Sequence, residues 1–569
     1  MTHLTIDPVT RVGGHLRIEA DVEHGVVSDA WSSVTMYRGI EPILKGRDPR
    51  DVWLLAERVC GACSGVHGLA SVRAVEDALG VRIPANARSV RNLLMASEFV
   101  LDHVTRFFQQ EALDWVDPSA ALAADPAATA FLARSLGSVG RSDLAYFRDA
   151  RERLAEFVRS GGSGPFFERA DQPAGDGPPE TSLMVMANYL DVLDRQRQIV
   201  RFQTFLGGKS PHPQTYLLGG SAIAVPWGGP PATQPGQHPS RTDPRAPATL
   251  SPEGFAEMAT IAGEIQALVA QAYLPSVLAI AKAYPGWSKV GRGYGNYLSF
   301  GEFPLDDADK PTLLLPRGRV LGGDLRRVAP IQQLDIGETV AHSHYTYGDG
   351  DAAYRHPSDG LTVPSYGGPT PPFATVVDSD RYSWVKAPRY QRAPMEAGPL
   401  ARVLVAYVEG RGVVKDPIDD VVSRLGFGPD ALFSTLGRIL AAAVEAQILA
   451  DELPVWLDGL RANLADGDLA VADLTRWVPE SWPSRARGLS LGEGPGGAVG
   501  HWLSIDGGLI DEYQIVDAST WNLSPRDAGG GRGALEQALI GTPVADPTNP
   551  VEILRTVHSL QPCTACGAQ

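Results

Sequence analysis

Four cysteines carry the clearest chemistry in this chain. They stand as two Cys-x-x-Cys pairs, Cys60 with Cys63 and Cys563 with Cys566, near opposite ends of 569 residues. So few in so long a chain cannot make a disulfide framework, and pairs at this spacing read as metal or redox ligands. Neither pair alone completes a four-coordinate site; together they do. A four-cysteine set suits structural zinc, an iron–sulfur cluster or a nickel-containing centre, and a bound metal removes the thiol proton outright. The second pair sits in the closing "QPCTACGAQ", where a free terminus frays unless something holds it. His67 follows Cys63 by four residues. In a helix it would share a face with Cys63 and could donate to a thiolate, although a lone histidine is more often an ordinary core residue.

Both pairs need elements that bring them together. "HLRIEADVEHGVVSDAWSSVTMY" alternates apolar and polar residues around His24-Gly25, which predicts a hairpin or meander. "DPRDVWLLAERV" opens with an Asp cap and a proline and predicts a helix running into Cys60. Further helices are expected over about 86–115, 127–160, 180–206, 252–284 and 429–464. Pro/Gly-rich stretches around 160–180 and 225–250 predict surface excursions, and 300–390 reads as irregular. "HWLSIDGGLIDEYQIV" predicts a hairpin turning at Gly507-Gly508. Asn549 as N-cap with Pro550 at the first helical position predicts a helix delivering Cys563. The expected fold is α+β: one large, mostly helical unit over 1–569 with small antiparallel sheets, its two cysteine pairs meeting at a buried metal site. Within it, 1–45 is β-rich, 48–285 a helical core, 290–390 irregular or β, and 396–569 helices and a hairpin.

The formal net charge is −16 and the pI about 5.2, which argues against nucleic acid or an anionic membrane surface as the main partner. No run of 18 or more apolar residues is present, so no membrane span is expected. The N-terminus has no signal-peptide core; export attached to a partner that carries a signal is compatible with this, and the compartment stays open.

At "RVCGACSGVH", which includes Arg58 and His67, the chain resembles the R-x-C-G-x-C-x-x-x-H signature of the large, catalytic subunit of nickel–iron (NiFe) hydrogenases, and "PCTACGAQ" resembles that family's terminal P-C-x-x-C segment. "TIDPVTRVGGHLRIE", "MYRGIEPILKGRDPRD", "ALDWVD", "GGKSPHPQT", "YSWVKAPRYQRAPMEAGPLAR" and "STWNLSPRD" match family stretches in the same order, so the likeness spans nearly the whole chain. The resemblance implies a Ni-Fe centre whose iron carries CO and cyanide. Cys60 and Cys563 are then terminal on nickel, and Cys63 and Cys566 bridge to iron. It further implies Ser519 as a hydrogen-bond donor to a cyanide, and Asp102 as an acid in the canopy over the metals beside Pro495. Glu41, the backbone carbonyl of Ile515 and Gln569 become ligands of a Mg2+ near the C-terminus, an ion that takes hard oxygen donors. An Fe-S cluster small subunit as obligate partner, H2 as substrate and a maturation machinery complete the picture.

Four positions depart from that pattern. Gly13 replaces a glutamate expected to relay protons from the bridging-thiolate side, with Glu57 or His15 as substitutes. Gly496 replaces an arginine over the open metal position, Gln561 an aspartate, and Gln569 a terminal histidine. Losing the arginine and the aspartate together is self-consistent, because a buried carboxylate without a counter-charge is costly. Two functions follow: a hydrogenase splitting H2 and passing electrons to its small subunit, or an H2-sensing, low-turnover relative that holds the metals without the usual proton-transfer residues.

Overall fold

Three antiparallel strands open the chain, β1 (Thr2–Ile6), β2 (Leu16–Glu23) and β3 (Val26–Val34), in the order β1-β2-β3. The predicted turn lies between Glu23 and Val26, where His24 and Gly25 both take positive φ. Leu16, Ile18, Ala20 and Val22 of β2 pack into one cluster with Ile553, Leu554 and Val557 of the Val551–Ser559 helix. The two ends of the chain therefore share a core, which is what two cysteine pairs far apart in sequence require. The computed structural model describes residues 1–161, 177–226, 250–347, 354–359, 362–366 and 381–567. Most of the two Pro/Gly-rich stretches, and Gln569, lie outside the described residues.

The centre is built on the Ala85–Arg106 and Thr435–Ala465 helices, which pack on each other and on the Pro179–Gly207 and Pro252–Leu268 helices. All four cysteines belong to this largest apolar cluster. Polar ties run through it: the Arg402 guanidinium donates to Glu445 at 2.6 Å and to Glu493 at 2.8 Å, and His103 shares a hydrogen bond with Glu445 at 2.9 Å. The helical run Pro252–Ala283 is long and apolar enough to cross a membrane, yet 67% of its apolar window is buried inside the fold, as for a core helix. It is not an unbroken apolar run: Glu264, Gln266, Gln271 and Ser276 interrupt it.

A second three-stranded antiparallel sheet, Arg485–Gly494, Gly497–Asp506 and Leu509–Val516, covers the Ser64–Leu79 helix. The approach is close: a Cβ at Gly488 would lie 2.0 Å from the Ala74 carbonyl oxygen. Gly507 and Gly508 make its second turn with φ of 58° and 82°, as expected. Pro495 and Gly496 make the first, joining Gly494 to Gly497.

Three local expectations need correction. The 127–160 stretch is two helices, Pro126–Ser135 and Leu144–Arg159. Gly137, at φ 91°, ends the first, and the linker is pinned by the Ser138 hydroxyl donating to the Gln271 carbonyl at 2.6 Å. Before Cys60 the α-helix starts at Val52, because the Asp48 carboxylate is engaged by the Arg50 N–H at 2.8 Å and by its guanidinium. The last long helix starts at Val551 with Pro550 as its cap residue; Asn549 lies outside, its carbonyl accepting from the Val551 N–H at 2.8 Å.

Candidate metal centre

Cys60 leaves the Glu57–Val59 turn in an extended conformation, and its sulfur accepts the N–H groups of Ala62 at 3.3 Å and Cys63 at 3.1 Å. Cys63 occupies the N-cap position of the Ser64–Leu79 helix, where the positive end of the helix dipole favours a thiolate. The other pair arrives beside the N-terminal segment. Cys563 bridges Gly13 in parallel fashion, and the Ala565 N–H and the Thr564 hydroxyl both donate to the Gly13 carbonyl, at 3.2 and 2.9 Å. The neighbouring Gly14 must be glycine: its φ is 101° and a Cβ would lie 2.1 Å from the Thr564 hydroxyl oxygen.

The four sulfurs converge. Cys60 and Cys563 lie 3.8 Å apart, Cys63 and Cys566 3.5 Å, and Cys563 and Cys566 3.2 Å. All four are buried, and none is in a disulfide. Hydrogen bonds with Cys566 and Cys60 outweigh burial and hold Cys63 below the ordinary thiol value. A hydrogen bond with Cys566 works the same way on Cys563, but its contact with Cys60 and burial push that thiol up to about 12. A metal resolves this frustration by displacing the protons.

Around the sulfurs is a cavity of about 20 Å³, room for about one water molecule. His67, Pro495, Gly496, Ser519 and Gln561, all singled out from sequence, line it with Cys63, Cys563 and Cys566. The Ser519 hydroxyl oxygen accepts the Cys563 N–H at 3.3 Å. His67, kept neutral chiefly by burial, has a ring nitrogen within 4.8 Å of both Cys566 and an Asp517 carboxylate oxygen. On its other side it shares a hydrogen bond with His501 at 3.1 Å, and His501 in turn one with the Tyr513 hydroxyl at 2.7 Å. Asp102 reaches the cavity through Arg106, accepting from its Nε at 2.5 Å. Arg58 does not reach it: its side chain is exposed.

Position 13 needs a correction. A Cβ at Gly13 would lie 3.3 Å from the Cys563 sulfur, so it faces the thiolate read as terminal, not a bridging one. The two strands meet there through a register between the chain ends that no local pattern encodes. Neither expected substitute touches a sulfur. His15 pairs with Asp7 at 2.9 Å, and Glu57 lies under the Ser64–Leu79 helix, with the His212 ring 3.9 Å away and burial pushing its carboxyl up to about 8.

The residues expected to hold Mg2+ meet in part. Glu41 Oε1 accepts from the Ile515 N–H at 2.8 Å and from the Lys386 ammonium at 3.0 Å; the Ile515 contact is thus through its amide N–H rather than the carbonyl. Lys386 also donates to Gln514 at 3.1 Å and lies 3.6 Å from Glu338. Two buried carboxylates thus face one ammonium, and Glu338 Oε1 has no hydrogen-bond partner among the described residues. That donor set fits a hard cation.

Sequence reasoning missed Arg106, Asp517 and His501 in the thiolate site, and Glu338 and Lys386 beside Glu41. Arg106 stands four residues after Asp102 on one helix face, a spacing that by itself reads as an ordinary surface salt bridge.

The family model described as nickel-dependent hydrogenase matches residues 38–569. The uptake hydrogenase large subunit of Rhizobium leguminosarum bv. viciae is 42% identical over 99% of this chain and 94% of its own. The hydrogenase-1 large chain of Escherichia coli (strain K12) is 41% identical over the same shares. Among solved structures, the Ni-Fe-Se hydrogenase of D. vulgaris Hildenborough in the reduced state superposes with a TM-score of 0.75 at 29% identity, covering 100% of both chains. The reduced, active Ni-Fe-Se hydrogenase of Desulfomicrobium baculatum does so with 0.75 at 30%, again over 100% of both.

Proposed function

Because this chain belongs to the nickel-dependent hydrogenase family, as a catalytic large subunit, we propose that its four thiolates hold the nickel–iron centre in a specific arrangement. Cys60 and Cys563 would serve as terminal ligands of nickel, Cys63 and Cys566 would be shared with an iron bearing CO and cyanide, and the Ser519 hydroxyl would donate to a cyanide. The observation that carries the centre is the convergence of four buried sulfurs from both chain ends, Cys563–Cys566 at 3.2 Å, Cys63–Cys566 at 3.5 Å and Cys60–Cys563 at 3.8 Å; the split into terminal and bridging thiolates follows from the motif positions. Bound there, such a centre supplies an open position and the redox capacity for heterolytic cleavage of H2. Names of relatives that include uptake hydrogenases support H2 oxidation as the working direction.

The residues around it do the rest. The small cavity admits H2 and excludes bulk water, which strengthens every charge inside it. Protons leave along His67, His501 and Tyr513, a hydrogen-bonded chain of neutral rings that ends where Tyr513 lines a surface cavity. Glu41, with Lys386 and Glu338 around it, would hold Mg2+ beside the C-terminal sheet. As a large subunit the chain pairs with a small subunit; having all four of its cysteines in the one site, it leaves the Fe-S clusters to that partner. Metal insertion requires a maturation machinery. Among the described residues, no structural feature favours the sensing alternative over turnover.

The test is the chain purified with its small subunit. Equimolar nickel and iron with H2-dependent dye reduction are expected. Nickel and iron without dye reduction would replace catalysis by sensing.

A further inference from the structure

Thiolates gathered in so small a cavity need a counter-charge. Among the described residues that line it, Arg106 is the sole side chain with a permanent positive charge. It ends the Ala85–Arg106 helix, just where the backbone passes into a π-type turn over Phe107–Glu111. It is 5% exposed and held from two directions. Nε donates to Asp102 at 2.5 Å, and Nη1 donates to the Gln561 carbonyl at 3.1 Å and the Pro562 carbonyl at 3.4 Å, immediately before Cys563. Burial opposes its charge, but Asp102, Cys563 and Cys63 more than offset that. Gly496 lines the same cavity and leaves it open: a Cβ there would meet only Ala518 Cβ at 3.6 Å and the Gln561 carbonyl at 3.9 Å.

We infer that Arg106, positioned by Asp102, is the cation of this metal cavity, supplied from the Ala85–Arg106 helix because the Pro495-Gly496 turn carries no charged side chain. The inference rests on the nickel–iron reading of the four thiolates. Arg106 acts by charge and hydrogen-bond donation, not as a base, since a guanidinium keeps its proton. It stabilises negative charge on the thiolates and any bound group, and through the 561–562 carbonyls it fixes the strand that presents Cys563. Asp102 is a positioning residue for it.

The test uses the purified heterodimer with Arg106→Lys, Arg106→Gln and the double variant Arg106→Gln/Gly496→Arg. The readouts are nickel and iron content, the CO and cyanide infrared bands, and kcat and KM for H2. Arg106→Gln is expected to keep its metals, shift the bands and lose about 10²-fold in kcat, the usual cost of removing one preorganised charge or donor. Arg106→Lys should lose less, and the double variant should regain about tenfold over Arg106→Gln, because position 496 opens on the same space. Unshifted bands and a kcat within about twofold of wild type in Arg106→Gln would overturn the assignment alone. If Arg106→Gln fails to load metal, Arg106→Lys decides: shifted bands support the role, and unshifted bands overturn it. Zinc and no bands in the unmutated heterodimer would overturn the hydrogenase reading and this assignment with it.

Discussion

Cys566 lies 3.2 Å from Cys563 and 3.5 Å from Cys63, so it touches a sulfur of each pair, as its proposed bridging role requires. Cys566→Ala should abolish the bimetallic centre while leaving the fold, because it removes one small buried side chain and one ligand. Infrared bands and metal content check this, and an intact nickel–iron spectrum in the variant would refute the bridging assignment. The cysteines were legible in the sequence because ligand spacing is local and thiolate chemistry narrow. Gly13 was legible as a departure but not in its consequence, since its contact with Cys563 joins opposite ends of the chain. Arg106 was invisible for a different reason. An Asp and an Arg at i and i+4 read as a solvated salt bridge on a helix surface, and only packing shows both side chains to be buried.

At the scale of elements, the C-terminal sheet does two jobs. Its first turn supplies Pro495 and Gly496 to the cavity, and its later strands supply His501 and Tyr513 to the proposed proton route. Tyr513→Phe removes the hydroxyl that ends the route but keeps the ring in place. The variant is expected to keep its metals and infrared bands while kcat drops about tenfold or more, with a larger solvent deuterium isotope effect. An unchanged rate would send the protons by another way. Both hairpins were legible, because Gly507-Gly508 and His24-Gly25 interrupt clear period-two patterns. Helix ends were less so. Apolar spacing continues across the break at Gly137, and the break is set by a tertiary contact of Ser138 with Gln271. The chain of polar groups through the helical core, from His103 through Glu445 and Arg402 to Glu493, left no mark in the pattern at all.

At the scale of the whole molecule, several carboxyl groups are buried around the centre, Glu57, Glu98 and Glu111 among them. Burial pushes Glu57, Glu98 and Glu111 each up to about 8. The unfolded chain gives up these protons near the ordinary value of 4.5, and the folded chain keeps them until about 8. Their stabilising contribution is therefore full below 4.5 and is lost as the pH rises through 8. Glu445 shifts the other way, held down to about 2 by Arg402 and His103 against its burial, so its stabilising contribution is full above 4.5 and is lost as the pH falls through about 2, and it adds no slope between pH 6 and 8.5. The heterodimer should accordingly melt lower at about pH 8.5 than at about pH 6, and Glu98→Gln should flatten that slope. A Tm that rises over this range would contradict the burial argument.

The joining of both chain ends over one core gives these groups their place: β2 and the Val551–Ser559 helix share apolar contacts, and the thiolates meet just beyond them. Infrared spectroscopy of the purified heterodimer tests the central claim most directly. Bands of iron-bound CO and cyanide, in protein carrying nickel and iron, are the predicted result. Zinc in the four-cysteine site with no such bands would contradict it.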